Sequence, residues 1–458
     1  MPHRTVTFIR TFFIRHLTAP RIFVLSFACV IFFGAFLLWL PISAAKNHLS
    51  FVDALFSSAS AVCVTGLAVI DIGKDLSIIG QIITMVLFQC GGLGIITFSV
   101  FFFQLIGRST SFKGREIVQS TFLHTPQKDF RIILKSVLFS TIIIESIGTI
   151  LLFIRFSRDF PRGQAFYHSS YHAISAFNNC GYSLFSDSLI RYQDDIILNG
   201  TVMALIILGG IGFIIQHEVV SRIKRTRKRL SVHTKVVLIT TGILIVIGAV
   251  FFYFFEKNFM MKNVPWQTKV LISLFQSITP RTAGFNTVDI GQLTNDTILL
   301  MMILMFIGAS PGSAGGGIKT TSAALLFLML WNRLKGNEDV NIFNRTIPRE
   351  TINKTVSIIF ASAFSIALIT SIVLFAAPKS SPSESRYLFV EYLFDTISAF
   401  GTVGLSMGIT PKFNDLQKFI ITIMMFVGRV GPLTLAFSMS IRASRKGIVY
   451  AEENIMVG

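Results

Sequence analysis

Apolar runs long enough to cross a bilayer, which takes about 20 residues, alternate along the chain with short stretches too polar and glycine-rich to do so. The first run, Ile22 to Ile42, is followed by a mixed segment at 50–61, an extended return over Val62 to Leu67, and a second run over Ile78 to Gly107. This pattern predicts a spanning helix, a half-helix that enters the membrane and turns back, and a second spanning helix. The same order recurs at 131–156, 166–177 and 195–221, at 233–256, 266–278 and 296–332, and at 352–377, 388–400 and 415–441. The expected fold is an all-α polytopic membrane protein of four helix–pore-helix–helix repeats, giving eight spanning helices around a central pseudo-four-fold pore. The repeats divide the chain at 1–107, 108–221, 222–332 and 333–458.

The interruptions resemble one another. Phe56-Ser-Ser-Ala-Ser-Ala-Val-Cys-Val-Thr-Gly-Leu67, Tyr171-His-Ala-Ile-Ser-Ala-Phe-Asn-Asn-Cys-Gly-Tyr182 and Phe394-Asp-Thr-Ile-Ser-Ala-Phe-Gly-Thr-Val-Gly-Leu405 share a pattern, and Leu274 to Phe285 is a looser copy. Aligned on Gly66, Gly181, Gly284 and Gly404, every copy has a bulky apolar residue ten positions earlier, and three carry Ser-Ala at the sixth and fifth positions before the glycine. The glycines are 115, 103 and 120 residues apart.

Composition agrees with a membrane protein: 52% of the 458 residues are hydrophobic and 14% charged, where a soluble chain carries about a quarter charged. Mean hydropathy is +0.67. The net charge of +18 therefore reads as cytoplasmic basic loops rather than nucleic-acid binding. Arg222-Ile-Lys-Arg-Thr-Arg-Lys-Arg229, the groups Arg108, Lys113, Arg115, Lys128 and Arg333, Lys335, Arg345, Arg349, Lys354, and the tail residues Arg442, Arg445, Lys446 all fall between or after repeats. Both termini are accordingly expected in the cytoplasm. Topology explains the 222–229 cluster first, without excluding contact with anionic membrane lipid or an acidic partner. Arg4, Arg10, Arg15 and Arg21 before an apolar run, with Ser43-Ala44-Ala45 after it, resemble a signal peptide. The run is longer than an h-region, and the first repeat needs it, so it is read as retained. The cysteines Cys29, Cys63, Cys90 and Cys180 lack metal-ligand spacing, so no resident metal or covalent cofactor is expected.

Irregular backbone at membrane depth is tolerated only where it lines a watery cavity or lies buried in protein. Four such loops around one axis enclose a pore, and inward-turned carbonyls can replace a cation's hydration shell. A glycine at the narrowest point reaches backbone angles closed to other residues. The candidate selectivity-filter residues are Val62, Cys63, Val64, Thr65 and Gly66, then Asn178, Asn179, Cys180 and Gly181, then Arg281, Thr282, Ala283 and Gly284, and finally Gly401, Thr402, Val403 and Gly404. Side-chain oxygens of Thr65, Asn178, Asn179, Thr282 and Thr402 can bind an ion or brace a loop, bracing being expected of the asparagines. Arg281 is expected to clamp loop carbonyls or a carboxylate at the outer mouth, His172 to be hydrogen-bonded within its half-helix, and Glu145 to pair with a neighbouring repeat.

A second motif lies 24 to 28 residues past the loop glycines: Gly91-Gly92-Leu93-Gly94, Gly209-Gly210-Ile211-Gly212 and Gly428-Arg429-Val430-Gly431. Small residues here suit close helix packing. In the third repeat the motif becomes Gly308-Ala309-Ser310-Pro311-Gly312-Ser313-Ala314-Gly315-Gly316-Gly317, which cannot stay helical. Ala309 to Gly317 form the candidate gate. Arg429, in the register of Gly92 and Gly210, is the candidate gate cation, because a guanidinium at this depth costs at least ~2.5–3.5 kcal/mol unless it faces protein or water.

Val-Thr-Gly-Leu at 64–67, His-Ala-Ile-Ser-Ala-Phe-Asn-Asn-Cys-Gly at 172–181, Thr-Pro-Arg-Thr-Ala-Gly-Phe-Asn at 279–286 and Ala-Phe-Gly-Thr-Val-Gly-Leu at 399–405 closely resemble the filters of the Trk/Ktr/HKT potassium transporters. Gly-Arg-Val-Gly-Pro at 428–432 and the glycine-rich break match as well, and the likeness runs from about 20 to 445. With four repeats and no extra N-terminal hairpin, the chain looks most like the KtrB-type branch. The resemblance implies a homodimer with one potassium pathway per protomer, regulated by a cytosolic nucleotide-binding RCK ring, in the cell membrane. It also implies a gate at the glycine-rich break and, from glycine in all four filters, potassium as substrate, with sodium as a coupling or modulating ion.

Alternating access by a sodium- or proton-coupled symporter is the competing function, with the loops as discontinuous helices around a midplane site. Four-fold rather than two-fold repetition favours the pore. An enzyme is disfavoured because no nucleophile or metal-ligand constellation recurs at membrane depth.

Overall fold

A computed structural model describes residues 19–45, 48–106, 130–225, 229–378 and 381–439. The basic residues Arg4, Arg10, Arg15, Arg108, Lys113, Arg115, Lys128, Arg442, Arg445 and Lys446, and positions 226–228 of the 222–229 cluster, lie outside the described residues.

The helices follow the four-part pattern. Helices α1 (Ala19–Trp39), α2 (Phe51–Val62) and α3 (Ile78–Ile106) form the first unit, and α4 (Phe130–Phe156), α5 (Arg162–Phe177), α6 (Ile196–Ile211) and α7 (Phe213–Ile223) the second. The third holds α8 (Val232–Glu256), α9 (Trp266–Ile278), α10 (Asn295–Phe306) and α11 (Thr320–Leu334). The fourth holds α12 (Arg349–Phe375), α13 (Pro382–Gly401), α14 (Asp415–Val430) and α15 (Pro432–Met439). Among the described residues, strand is confined to a two-residue hairpin pairing Asn341–Ile342 with Arg345–Thr346. Lys235, near the start of α8, lies 5.3 Å over the Phe343 ring at its turn.

Local chemistry sets the helix starts. Ser50 accepts from the Asp53 amide, Asp195 from that of Leu198 and Ser231 from that of Thr234. Asn414 and Gln417 form a reciprocal capping box at α14, satisfying amides that a helix cannot pair internally. The buried carboxylate of Glu256 receives the Thr294 amide and the Thr294 and Thr297 hydroxyls, and so closes the start of α10.

Two expected continuous helices are broken. The 195–221 run bends by 102° between α6 and α7, where Gly212 holds φ +103°. The 415–441 run breaks at Gly431, φ +90°, directly before Pro432. Glycine reaches such angles freely, and proline cannot continue the preceding helix. The Gly91–Gly94 motif instead stays inside one helix, α3.

By length and composition, Lys135–Phe156, Val232–Glu256 and Arg349–Phe375 can cross a membrane, as can the bent α6–α7 pair taken together. Their outward faces carry Phe139, Ile142, Ile147, Val246, Phe360 and Phe364, each at least half exposed. Water would disfavour such a surface; lipid suits it. The short helices α2, α5, α9 and α13 lie inside this shell and bury most of their final turns. Around the ring, α3 packs on α5, α6 on α9, α10 on α13 and α14 on α2. The inner helix of each unit thus supports the short helix of the next, and the fourth returns to the first.

Candidate ion pathway

Each short helix ends just before its loop glycine, and every loop then takes the same unusual path. Gly66, Gly181, Gly284 and Gly404 have φ of +88°, +78°, +81° and +91°. Two positions earlier, Val64, Asn179, Thr282 and Thr402 are also left-handed, at +57°, +57°, +72° and +50°. Such angles are rare without glycine, and for β-branched valine and threonine they store strain. Alternating left-handed residues turn successive carbonyls towards one side, which a regular strand does not do.

The glycines form a closed ring. A Cβ on Gly66 would strike the Cys180 carbonyl, one on Gly181 the Ala283 carbonyl at 2.5 Å, one on Gly284 the Val403 carbonyl, and one on Gly404 the Thr65 carbonyl. Every glycine therefore faces the residue before the next glycine, and the cycle ends where it began. No side chain fits at any of the four points.

Each loop is braced from its own half-helix. The amides of Thr65, Cys180 and Val403 donate to the carbonyls of Ser60, Ser175 and Ser398, at 2.7, 2.9 and 2.9 Å. Those serines also use their hydroxyls. Ser60 donates to the Leu67 carbonyl and Ser175 to that of Tyr182, both at 2.8 Å. The amides of Gly66 and Gly404 donate to Ser60 and Ser398 Oγ at 3.0 and 3.1 Å. In the third loop Thr279, one position closer to its glycine, donates to the Phe285 carbonyl at 2.5 Å. The recurrent Ser-Ala pair had no assigned role from sequence; its serine is the brace.

The asparagines differ. Asn178 turns away from the ring and donates to Gln89 Oε1 at 2.5 Å and to Glu145 Oε1 at 3.2 Å, while Gln89 donates to Glu145 Oε2 at 3.3 Å. Glu145 thus joins its own loop to the preceding unit. Asn179 meets the Thr282 hydroxyl of the next unit at 3.2 Å. Both asparagines brace. His172 contacts the His168 carbonyl at 2.7 Å and Ser183 Oγ at 3.0 Å. Cys63 and Cys180 are buried free thiols. Val62 ends α2, and Gly401 ends α13.

Arg281 corrects an expectation. Its guanidinium is buried, and Nη2 reaches the Thr241 hydroxyl of α8 at 3.4 Å, in a small cavity shared with Ile206, Gly210, Ile278 and Ala309. It holds no loop carbonyl and no carboxylate among the described residues. Its backbone continues from the end of α9, with the Arg281 amide on the Ile278 carbonyl at 3.1 Å. The side chain therefore lies between α6 and α8.

Residues 308–319 cross beneath the ring. The amides of Ser310 and Ala314 donate to the Gly210 and Gly209 carbonyls at 3.0 and 3.3 Å, and that of Phe213 donates to Gly312 at 3.1 Å. From the fourth unit, Thr402 Oγ1 accepts the Gly316 amide at 2.9 Å, and the Gly428 carbonyl accepts that of Gly317 at 3.3 Å. Ser313 and Thr320 tie the segment internally through Ser310. The Pro311 carbonyl lies 2.7 Å from where a Cβ of Gly212 would stand. Arg429, buried, donates Nη1 to the Ala314 carbonyl and Nη2 to the Gly91 carbonyl, and so joins this segment to the first unit. Lys319, which sequence reasoning passed over, donates to the Gly315 carbonyl at 2.8 Å. Its position directly after the break was the available signal.

The glycine motifs have a defined packing role. A Cβ on Gly91, Gly209 or Gly428 would strike the carbonyl of Val62, Phe177 or Phe400, in each case four residues before the loop glycine. The backbones therefore touch, as small residues permit.

An apolar helical shell around a ring of re-entrant loops, with a non-helical segment beneath, defines a membrane transport protein. The chain belongs to the TrkH family of cation transport proteins, whose family model matches residues 16–446. It is 38% identical to the Ktr system potassium uptake protein B of Bacillus subtilis, over 96% of this chain and 97% of that one. The protein of the same name from Vibrio alginolyticus is 35% identical, covering 96% and 95%. The potassium/sodium uptake protein NtpJ of Enterococcus hirae is 33% identical over 97% and 98%. The crystal structure of the potassium transporter TrkH from Vibrio parahaemolyticus has the same fold, with a TM-score of 0.70 at 18% identity over 93% of this chain and 86% of that one.

Proposed function

We propose that this chain takes up potassium across the cell membrane through the glycine ring, with Val62–Gly66, Asn178–Gly181, Thr282–Gly284 and Gly401–Gly404 forming the selectivity filter. The observation that carries the reading is the closed cycle in which each loop glycine faces the carbonyl-bearing residue before the next. Carbonyls turned to one axis replace water around a cation. The ends of α2, α5, α9 and α13 lie against the ring, and the negative end of a helix dipole favours a cation. Arg281 belongs to the third filter loop through its backbone, while its side chain lies between α6 and α8.

Ala309 to Gly317 act as the gate in this reading, with Arg429 holding it shut. The segment is tied to units two and four by hydrogen bonds, and to unit one through Arg429, rather than by helical structure. The chain makes eight crossings, with its repeats dividing near 107, 221 and 332 and both termini cytoplasmic. It functions as a homodimer under a cytosolic nucleotide-binding RCK ring, in keeping with relatives named as members of a Ktr system. Sodium as a coupling or modulating ion is the second reading, favoured by the potassium/sodium uptake protein NtpJ among the relatives.

Uptake by cells lacking their own potassium transport tests the assignment. Gly66→Ser and Gly404→Ser lower the preference for potassium over sodium while the protein still reaches the membrane. Unchanged preference at all four glycines removes the filter from these loops. Unitary currents in a planar bilayer separate an open pathway from alternating access, and potassium uptake with and without sodium decides the coupling.

A further inference from the structure

Two of the four loops share a device that the others lack. Asp395 lies nine residues before Gly404, and His172 nine before Gly181. Asp395 Oδ2 accepts from Ser406 Oγ at 3.1 Å, two residues past its glycine. His172 Nε2 meets Ser183 Oγ at 3.0 Å, again two residues past the glycine. Each serine hydroxyl then accepts an amide four residues past the glycine, Gly408 or Phe185, both at 3.0 Å. Register, partner and onward bond coincide. In the first loop the same positions hold Ser57 and Ala68, and in the third Phe275 and Asn286. Ser57 Oγ is buried without a hydrogen-bond partner.

The ring order places the second and fourth loops opposite each other, because Gly181 faces the third unit and Gly284 the fourth. A two-fold feature is therefore built into a four-fold ring. Both groups are fully buried. Asp395 takes a second hydroxyl, from Thr410, and its Oδ1 has no partner. His172 stacks on Phe185 at 4.8 Å, with Phe156 5.7 Å away. In the low-dielectric interior a hydrogen bond is electrostatically stronger than in water.

We infer that Asp395 and His172 are positioning residues that fix the outer limbs of two opposite loops through Ser406 and Ser183, and so set how the ring discriminates between cations. This rests on the glycine ring being the filter. A limb released at Ser406 can move outward, and the Gly404 carbonyl moves with it. Discrimination between ions of different size is lost before transport is.

The test measures potassium and sodium uptake in parallel, on full-length protein quantified in the membrane. Asp395→Leu and Ser406→Ala each lower the potassium-over-sodium preference by about tenfold, the worth of one buried hydrogen bond, and together they lower it no further. Asp395→Asn, which keeps an acceptor, retains most of the preference. His172→Leu and Ser183→Ala repeat the pattern. Ser57→Ala, at the unpartnered position, leaves the preference unchanged. A change confined to the amount of protein in the membrane, with preference intact in what remains, overturns the inference. Wild-type preference in Asp395→Leu and Ser406→Ala while Gly404→Ser loses it also overturns the inference, and leaves the filter standing. Wild-type preference in all three removes both.

Discussion

The glycine ring and the segment beneath it are both irregular backbone at the centre of one protein, yet they are held in opposite ways. Each ring loop is bonded to its own half-helix, four to seven residues away, through the backbone carbonyl and the hydroxyl of one serine or threonine. Residues 309–317 make most of their backbone bonds to units two, four and, through Arg429, one. Short-range bonds form with little loop-closure cost and hold whatever neighbouring units do. Long-range bonds hold only while distant units keep their places. A local brace suits a part that must keep sub-ångström geometry, and distributed ties suit a part that must let go.

The largest effect expected from breaking this contrast is in the ring. Gly66→Ala drives a methyl into the Cys180 carbonyl at φ +88°, a backbone angle alanine resists as well. Potassium preference falls by ~100-fold, and Gly404→Ser, whose Cβ would strike the Thr65 carbonyl at φ +91°, loses at least as much. Retained preference in Gly66→Ala would mean the close approach can relax, and the ring is not rigid. Deleting Ser310 to Gly316 comes next. With the segment gone, potassium flux per protein rises about tenfold, while preference is untouched. Flux at or below the wild-type level, still under control by a cytosolic partner, would make the segment a fixed kink.

What could be seen in advance follows the same division. The mostly helical fold, the four short helices and the four glycines with left-handed angles were legible because apolar run length and repeated local pattern encode them directly. Three of the loops' second left-handed positions were not, because Val64, Thr282 and Thr402 are residues that avoid such angles, and only Asn179 is a residue type that tolerates them. The direction of the Arg281 side chain was equally hidden, since adjacency to a filter glycine says nothing about which side of the backbone a long side chain takes. The breaks at Gly212 and Gly431 had a signal, Gly-Pro at 431–432, in the fourth unit alone. The first unit's similar motif remains helical in α3, so glycine spacing without the contacting segment does not decide.

A sharper version of the comparison separates charge from shape at Arg429. Arg429→Gln loses the positive charge and one arm of the fork that spans Ala314 and Gly91, and Arg429→Lys keeps the charge with a single rotating head. Potassium flux rises by about threefold in Gln and stays near wild type in Lys if the charge itself opposes the ion. Equal rises in both would assign closure to the fork alone. Loss of assembled protein in both variants would make the arginine an anchor and end the barrier reading.

The smallest effect belongs to Lys319. Its ammonium meets the Gly315 carbonyl at 2.8 Å, one residue on from the Ala314 carbonyl that Arg429 holds. Two cations therefore grip adjacent peptide units of the same segment, one from inside the third unit and one from the fourth. The grip from Lys319 is local, because it springs from the residue that precedes α11. It belongs to the segment's own unit, whereas Arg429 reaches in from α14. Releasing a local tie leaves the ties to units one, two and four intact, so Lys319→Met, which keeps stem length without charge, raises flux by only about twofold. Lys319→Arg restores the donor and returns flux to wild type. Combining Lys319→Met with Arg429→Gln gives more than the sum of the separate effects, because each cation masks the loss of the other. A single Lys319→Met variant that matches the deletion of Ser310 to Gly316 would place the decisive tie inside the third unit, and the contrast between locally braced ring and distantly tied segment would fail.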